Sequence, residues 1–127
     1  MADYTYRLDK HLIVVPIVLH GRNGRLTNEF ILDTGASYAI IDHSLASALG
    51  YSASDGVGFS KVSSAVGKER GYRLIIDGFE ALGKKFNRIE VACHDLKEQG
   101  VEGLLGMPFL EQFDWCVHPN RQIISVK

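Results

Sequence analysis

The sequence predicts an all-β fold with one or two short helices. Apolar and polar residues alternate between Tyr4 and Lys10, which is typical of a strand with one solvent-facing side. The segment from His11 to His20 is β-branched and aliphatic, and it is followed by the turn-forming residues 21–24, Gly-Arg-Asn-Gly. Further short apolar segments separated by glycines extend this pattern along the chain.

Length and composition indicate one globular domain covering residues 1–127. A chain of this size buries roughly two thirds of its unfolded surface. Its net charge of -1 lacks the basic excess of nucleic-acid-binding proteins, so we expect no nucleic-acid partner. The apolar run from Leu12 to Leu19 is too short to span a bilayer, and the N-terminus lacks a signal-peptide pattern. We therefore expect no membrane partner and a cytoplasmic location.

The first half of the chain is predicted to contain a hairpin followed by a helix. The return strand of the hairpin runs from Arg25 to Asp33, and a short strand follows from Tyr38 to Ile41. Asp42 is a candidate N-cap for a helix from His43 to Leu49, which Gly50 would end.

The second half is predicted to be mostly strands. A hairpin is expected with strands at Phe59–Val66 and Tyr72–Ile76 and a turn region at Gly67–Gly71. The pairs Asp55-Gly56 and Asp77-Gly78 are interpreted as turns. Four more strands are predicted, at Phe79–Leu82, Lys84–Cys93, Trp115–Val117 and Gln122–Lys127.

Asp33 is the most informative residue, because it follows the apolar run Phe30-Ile31-Leu32, which should be buried on both faces. Burying a carboxylate costs several kcal/mol of solvation, roughly, unless it is partnered or protonated. Perturbed carboxylates of this kind cluster at functional sites.

The tripeptide Asp33-Thr34-Gly35 is weak evidence by itself, since it also suits a simple turn. A second apolar segment strengthens the interpretation of this tripeptide as a functional motif. This segment runs from Gly103 to Leu110 and places Pro108 in the first turn of a predicted helix. Phe109 and Phe113 are four residues apart, as one helical turn packing on a core requires.

These two segments together resemble the aspartic peptidases of the retroviral type. In that family an apolar strand delivers Asp-Thr/Ser-Gly to the active site, and a later apolar-apolar-Gly strand crosses beside it. The resemblance extends from about Leu12 to the C-terminus. It implies a retropepsin-like closed β-barrel that is active as a symmetric dimer, with Asp33 as the catalytic residue and no metal or other cofactor.

The number of catalytic motifs implies a second chain. Metal-free peptide hydrolysis needs one group that accepts a proton from water and another that donates one to the carbonyl oxygen. Asp-Thr/Ser-Gly occurs once in this sequence. A two-fold axis that brings Asp33 to its own copy would supply the second carboxylate, so a homodimer is expected.

The resemblance also assigns supporting roles. Thr34 would hydrogen-bond across the interface, Gly35 would let the backbone approach the carboxylates, Ser37 would reach the outer carboxylate oxygen, and Gly106 would pack against the site loop. The hairpin tip would be a flap over an extended peptide substrate, with candidate contacts at Ser64, Ala65, Val66, Gly67 and Lys68.

Other interpretations stay open at this point. The chain could keep the fold and dimer but act as a catalytically silent peptide-binding or dimerisation module. It could also be a β-barrel scaffold in which Asp-Thr-Gly is only a turn. Cys93-His94 and Cys116-Val117-His118 lack the spacing of structural zinc sites, and the two cysteines are predicted to be buried thiols.

Overall fold

The computed structural model describes residues 1–64 and 67–127, and the side chains of residues 61–70 and 99 are outside that description. The strands are β1 (Ala2–Thr5), β2 (Arg7–Asp9), β3 (Leu12–Gly21), β4 (Gly24–Leu32), β5 (Ile40–Asp42), β6 (Gly58–Ser64), β7 (Gly67–Ala81), β8 (Lys84–His94), β9 (Gly103–Leu105), β10 (Trp115–His118) and β11 (Ile123–Val126). The α-helices are α1 (His43–Ala48) and α2 (Met107–Leu110).

Strand pairing closes a barrel. The strands follow the order β3-β4-β9-β5-β8-β7, and β7 returns to β3 through the pairs from Ile17↔Ala81 to His20↔Gly78. Strands β2 and β6 extend this sheet, while β1, β11 and β10 form a separate three-stranded sheet from both ends of the chain. The predicted all-β barrel with short helices is confirmed.

Aromatic side chains fill the centre of the barrel. Phe30, Phe79 and Phe109 are fully buried, and their rings contact one another with centroid separations of 6.0 and 5.3 Å. Phe109 also contacts Phe113 at 5.4 Å, as their spacing predicts. Within the described residues, neither α-helix is long and apolar enough to cross a membrane.

The hairpin of β6 and β7 differs from the sequence prediction. Strand β7 already begins at Gly67, which pairs with Ser64, so the predicted turn at Gly67–Gly71 is wrong. Gly71 serves close packing instead, because a Cβ atom there would lie 2.0 Å from the Cys93 carbonyl oxygen. The predicted turn at Asp77-Gly78 is also wrong, since both residues lie inside β7 and Gly78 packs on the His20 side chain.

Two other predictions need correction. The single N-terminal strand is broken at Tyr6, whose amide donates to the Gln122 carbonyl where the chain passes between the two sheets. Leu8, an apolar residue of this alternating segment, is 47% exposed. Both cysteines are free as expected, but only Cys93 is buried, because Cys116 lies exposed on β10.

Candidate active site

Asp33 stands where β4 leaves the barrel. Strand β4 pairs in parallel with β9 through Ile31↔Leu104 and Leu32↔Leu105. The ladder extends one step further, since the Asp33 amide donates to the Leu105 carbonyl at 3.0 Å. Phe30 and Ile31 are buried as expected, while Leu32 and Asp33 are half-buried. The Asp33 backbone is therefore held by the sheet while its side chain reaches the protein surface.

The Asp33 carboxylate is oriented by its own loop. The Gly35 amide donates to Asp33 Oδ1 at 2.9 Å, and the Ala36 amide donates to the Asp33 carbonyl at 3.1 Å. An Asx turn of this kind fixes the side-chain rotamer. Thr34 and Gly35 are exposed at the tip of this loop.

Strand β9 lies between the two strands that the Asp33 loop connects. On one side it pairs with β4, and on the other side it pairs antiparallel with β5 through Ile40↔Leu104. The loop must therefore pass over the end of β9. The Met107 amide donates to the Ala36 carbonyl at 2.9 Å, which ties the loop to the start of α2.

Gly106 lies directly under this loop. A Cβ atom at this position would be 2.2 Å from the Tyr38 carbonyl oxygen and 2.8 Å from that of Ala36. Both obstacles are backbone atoms, so no side-chain rearrangement could relieve the contact. The structure thus places Gly106 against the loop that carries Asp33.

The remaining predicted site residues are Thr34, Ser37 and those of the candidate flap. Ser37 is exposed in the same loop. Among the described residues of one chain, no hydrogen bond joins the hydroxyl of Thr34 or Ser37 to the Asp33 carboxylate. In the candidate flap, the backbone of Ser64, Gly67 and Lys68 lies in the β6–β7 hairpin, whereas Ala65 and Val66 lie outside the described residues.

Asp42 has a larger role than the predicted N-cap. Its side chain accepts hydrogen bonds from the Ser44 amide and, 54 residues away in sequence, from the Leu96 amide at 2.8 Å. Burial raises the pKa of Asp42, but hydrogen bonds from Ser44 and Leu96 outweigh burial and hold that pKa below its ordinary value. Its backbone amide donates to the Glu102 carbonyl. Asp42 therefore joins β5 to the loop that leads into β9.

A groove of about 550 Å³, lined by both polar and apolar residues, lies on the sheet face that carries Asp33. Directly paired residues share a face, and Arg7 pairs with Val14, which pairs with Ile31, two residues before Asp33. Two guanidinium nitrogens of Arg7 bind both carboxylate oxygens of Glu29 in this groove, at 2.7 and 3.1 Å. This pair was not predictable from the sequence, because only the strand register shows that the two residues are neighbours.

The chain is similar in sequence to one protein family and in fold to solved structures. A family model described as aspartyl protease matches residues 15–109. The fold is similar to a retropepsin-like aspartic protease from Rickettsia conorii, with a TM-score of 0.73, 20% identity, and 98% of each chain covered. It is also similar to the retroviral protease-like domain of Ddi1 from Leishmania major, with a TM-score of 0.61, 14% identity, and coverage of 91% of this chain and 88% of that domain. No curated protein sequence matches the chain.

Proposed function

The chain belongs to the aspartyl protease family, and from this premise we propose that it is an aspartic endopeptidase whose active site combines Asp33 from two copies. The observation that carries the proposal is the loop geometry at Asp33. A carboxylate with one oxygen held by the Gly35 amide projects at an exposed loop tip, which β9 and Gly106 support from below.

The chemistry requires the second copy. In the proposed reaction one carboxylate takes a proton from water, whose oxygen forms a bond to the peptide carbonyl carbon. The other carboxylic acid donates its proton to the carbonyl oxygen. The carbon–nitrogen bond then breaks as the first carboxyl group passes the proton taken from water to the nitrogen. The second carboxylate recovers a proton from a hydroxyl on the former carbonyl carbon, leaving a new carboxyl and a new amine. Two adjacent carboxylates suit these roles, because their mutual repulsion keeps one of them protonated, as is established for aspartic proteases.

Exposure of the loop tip is consistent with a symmetric dimer. Thr34, Gly35 and Ser37 are exposed in the single chain, so their surface is available to a second copy. In the proposed dimer Thr34 bonds across the two-fold axis and holds the two loops together. Ser37 orients the outer carboxylate oxygen, and Gly106 keeps the loop low enough for the two Asp33 side chains to meet.

The substrate is proposed to be an extended peptide. It would lie between the Asp33 loops and the β6–β7 hairpin, where strand-like hydrogen bonds give affinity and alternate side chains enter pockets. The groove lined by Arg7 and Glu29 lies on the same face of β4 as Asp33. Ser64, Gly67 and Lys68 are proposed as hairpin contacts to the peptide, and the proposed contacts at Ala65 and Val66 lie outside the described residues.

Subunit mixing tests the proposal. Wild-type protein should cleave a mixed peptide library at mildly acidic pH, and Asp33→Asn should abolish cleavage without unfolding the protein. If both subunits contribute Asp33, co-refolded mixtures should retain activity in proportion to the square of the wild-type fraction. Asp77→Asn, which changes an exposed aspartate inside β7, is the matched control and should retain wild-type activity.

The alternatives give different results in the same assay. A linear dependence on the wild-type fraction would show that one Asp33 suffices and would contradict the shared site. A peptide-binding module would bind library peptides as a dimer and cut none of them. Cleavage by Asp33→Asn at the wild-type rate would refute the mechanism.

A further inference from the structure

The β6–β7 hairpin extends beyond the barrel as a two-stranded ribbon. Among the described residues, strand β6 is the last strand of its sheet and pairs with β7 alone, from Gly58↔Arg73 to Ser64↔Gly67. In the described part of the chain, strand β8 supports β7 from Tyr72 onward, where Tyr72 pairs with Cys93. The ribbon therefore leaves the barrel at Gly71, and the contacts at that level determine how firmly it is held.

A buried hydrogen bond crosses three strands at this level. Ser60 on β6 pairs directly with Gly71 on β7, and Gly71 lies beside the end of β8 at His94. The Ser60 hydroxyl and His94 Nε2 are 3.0 Å apart, and these residues are 6% and 1% exposed. Ser60 and His94 are among the few buried polar residues of the described chain.

Gly71 makes this contact possible. Because glycine has no side chain, the Ser60 hydroxyl and the His94 ring meet across the central strand. A Cβ atom at Gly71 would lie 2.7 Å from two atoms of the His94 ring. The three residues thus form one unit, which we name the ribbon latch: Ser60, Gly71 and His94.

The ribbon latch connects directly to the strands around Asp33. His94 pairs with Asp42 on β5, the strand that follows the Asp33 loop. Asp42 in turn binds the Leu96 amide with its side chain and the Glu102 carbonyl with its backbone, just before β9. Ordered contacts therefore join the ribbon base to β5, which follows the site loop, and to the segment that leads into β9.

We propose that the Ser60–His94 hydrogen bond is a positioning contact that fixes the ribbon at its base and so sets the affinity for peptide substrate. The proposal rests on the proposed peptidase function, since it assumes that the ribbon lies over bound peptide. Ser60 and His94 touch no reacting atom, so they act on the ribbon and leave the chemical step unchanged. Loss of the bond removes a contact that joins β6 to β8 across β7, which favours conformations in which the ribbon base opens.

Hydrogen exchange of the free protein tests the latch without any substrate. Ser60→Ala should lower the protection of the β6 amides and of β7 amides near Gly71 by about tenfold, which corresponds to one lost hydrogen bond. Ser125→Ala is the matched control, because Ser125 is also 6% exposed and its hydroxyl lies 2.9 Å from His118 Nε2 in the terminal sheet. The control should leave ribbon protection unchanged.

A double-mutant cycle assigns the effect to the pair. His94→Gln should reduce ribbon protection as well, and adding Ser60→Ala to it should cause little further loss. Additive losses would mean that the two side chains act independently, which would overturn the latch. Unchanged ribbon protection in folded Ser60→Ala would overturn it too.

Peptide cleavage tests the link to substrate. In Ser60→Ala we expect KM to rise several-fold while kcat stays within about twofold, because the lost contact orders the ribbon and not the carboxylates. A fall in kcat with unchanged KM, or no change in either despite lost protection, would overturn the link. If the wild type cleaves no peptide, the proposed function fails, and the exchange result still decides whether the latch exists.

Discussion

Three residues of the described chain show how a single atom decides local structure. Gly71 and Gly106 both have backbone carbonyls where a Cβ atom would lie, at 2.0 and 2.2 Å. Asp33 Oδ1 depends on one amide, that of Gly35. Each position lies at the ribbon base or in the site loop. We therefore expect substitutions there to affect the geometry of the candidate site more directly than the packing of the barrel.

Gly106→Ala should destabilise the fold and disable the site. The new methyl group must displace the backbone of the Asp33 loop, and overpacking of this kind costs about 1–3 kcal/mol. We expect a lower urea midpoint and at least a tenfold loss of peptide cleavage.

Gly100→Asn is the control for this substitution. Gly100 has open space around its Cβ position and a φ of +68°, which asparagine tolerates. It should match the wild type in both assays. Wild-type stability and cleavage in Gly106→Ala would show that the loop does not need this close approach.

The side chains of Cys93 and Tyr72, near the ribbon base, stay uncharged. Burial raises the pKa of the Cys93 thiol to about 12, against the opposing effect of its hydrogen bond with Tyr72. Burial, together with the neighbouring Cys93, raises the pKa of Tyr72 to about 12. Both groups are therefore protonated throughout the pH range of an acidic or neutral protease, and they add no charge beside His94.

At the scale of elements, the short helix α1 is held in place by more than its own sequence. Asp42 caps it through the Ser44 amide, and the same carboxylate binds the Leu96 amide of a distant loop. A helix of this length is not stable alone in water. Packing of Leu45 and Ala46 on the barrel, together with this shared cap, makes it persist.

The Asp42 carboxylate should make stability depend on pH in a defined direction. Its folded-state pKa is lowered from 3.8, so the unfolded state binds the proton more tightly. The stabilisation is complete above the unfolded pKa and disappears as pH falls through the lower folded pKa. Asp42→Asn removes this contribution, since the amide does not titrate.

Urea unfolding of both proteins between pH 6 and pH 2.5 checks this prediction. Wild type should be more stable than Asp42→Asn at pH 6, by about 1 kcal/mol, and the difference should shrink as pH falls below 3.8. Comparing the two proteins cancels the other carboxylates, which titrate in both. A difference that grows toward low pH would contradict the lowered pKa.

At the scale of the whole molecule, the barrel is complete in one chain but the proposed active site is not. The core around Phe30, Phe79 and Phe109 is buried without a second copy. Asp33, in contrast, has its loop tip at the surface of the chain. Folding and activity should therefore respond differently to protein concentration.

Dilution should separate the loss of activity from the loss of folded structure. We expect the cleavage rate per chain to fall on dilution, with the same midpoint that sedimentation gives for dimer dissociation. The circular dichroism of the barrel should persist at the concentrations where activity is lost. A constant rate per chain in a range where the protein sediments as a monomer would contradict a shared site.

Much of the fold was predictable because its signals are local. The turn after Gly21, the cap at Asp42 and the aromatic spacing of Phe109 and Phe113 each involve residues a few positions apart. The turns expected at Gly67–Gly71 and Asp77-Gly78 failed for one reason. A glycine that serves close packing between strands is identical in sequence to one that serves a turn.

The sequence by itself determined the class of fold, the family and the position of Asp33, because apolar periodicity and a short motif depend only on neighbouring residues. The tertiary structure alone decided that β9 lies between β4 and β5, that β7 closes the barrel on β3, and that Ser60 meets His94 across Gly71. These contacts join residues tens of positions apart. Their pairing depends on strand register, which the packing of the whole barrel selects and no local pattern specifies.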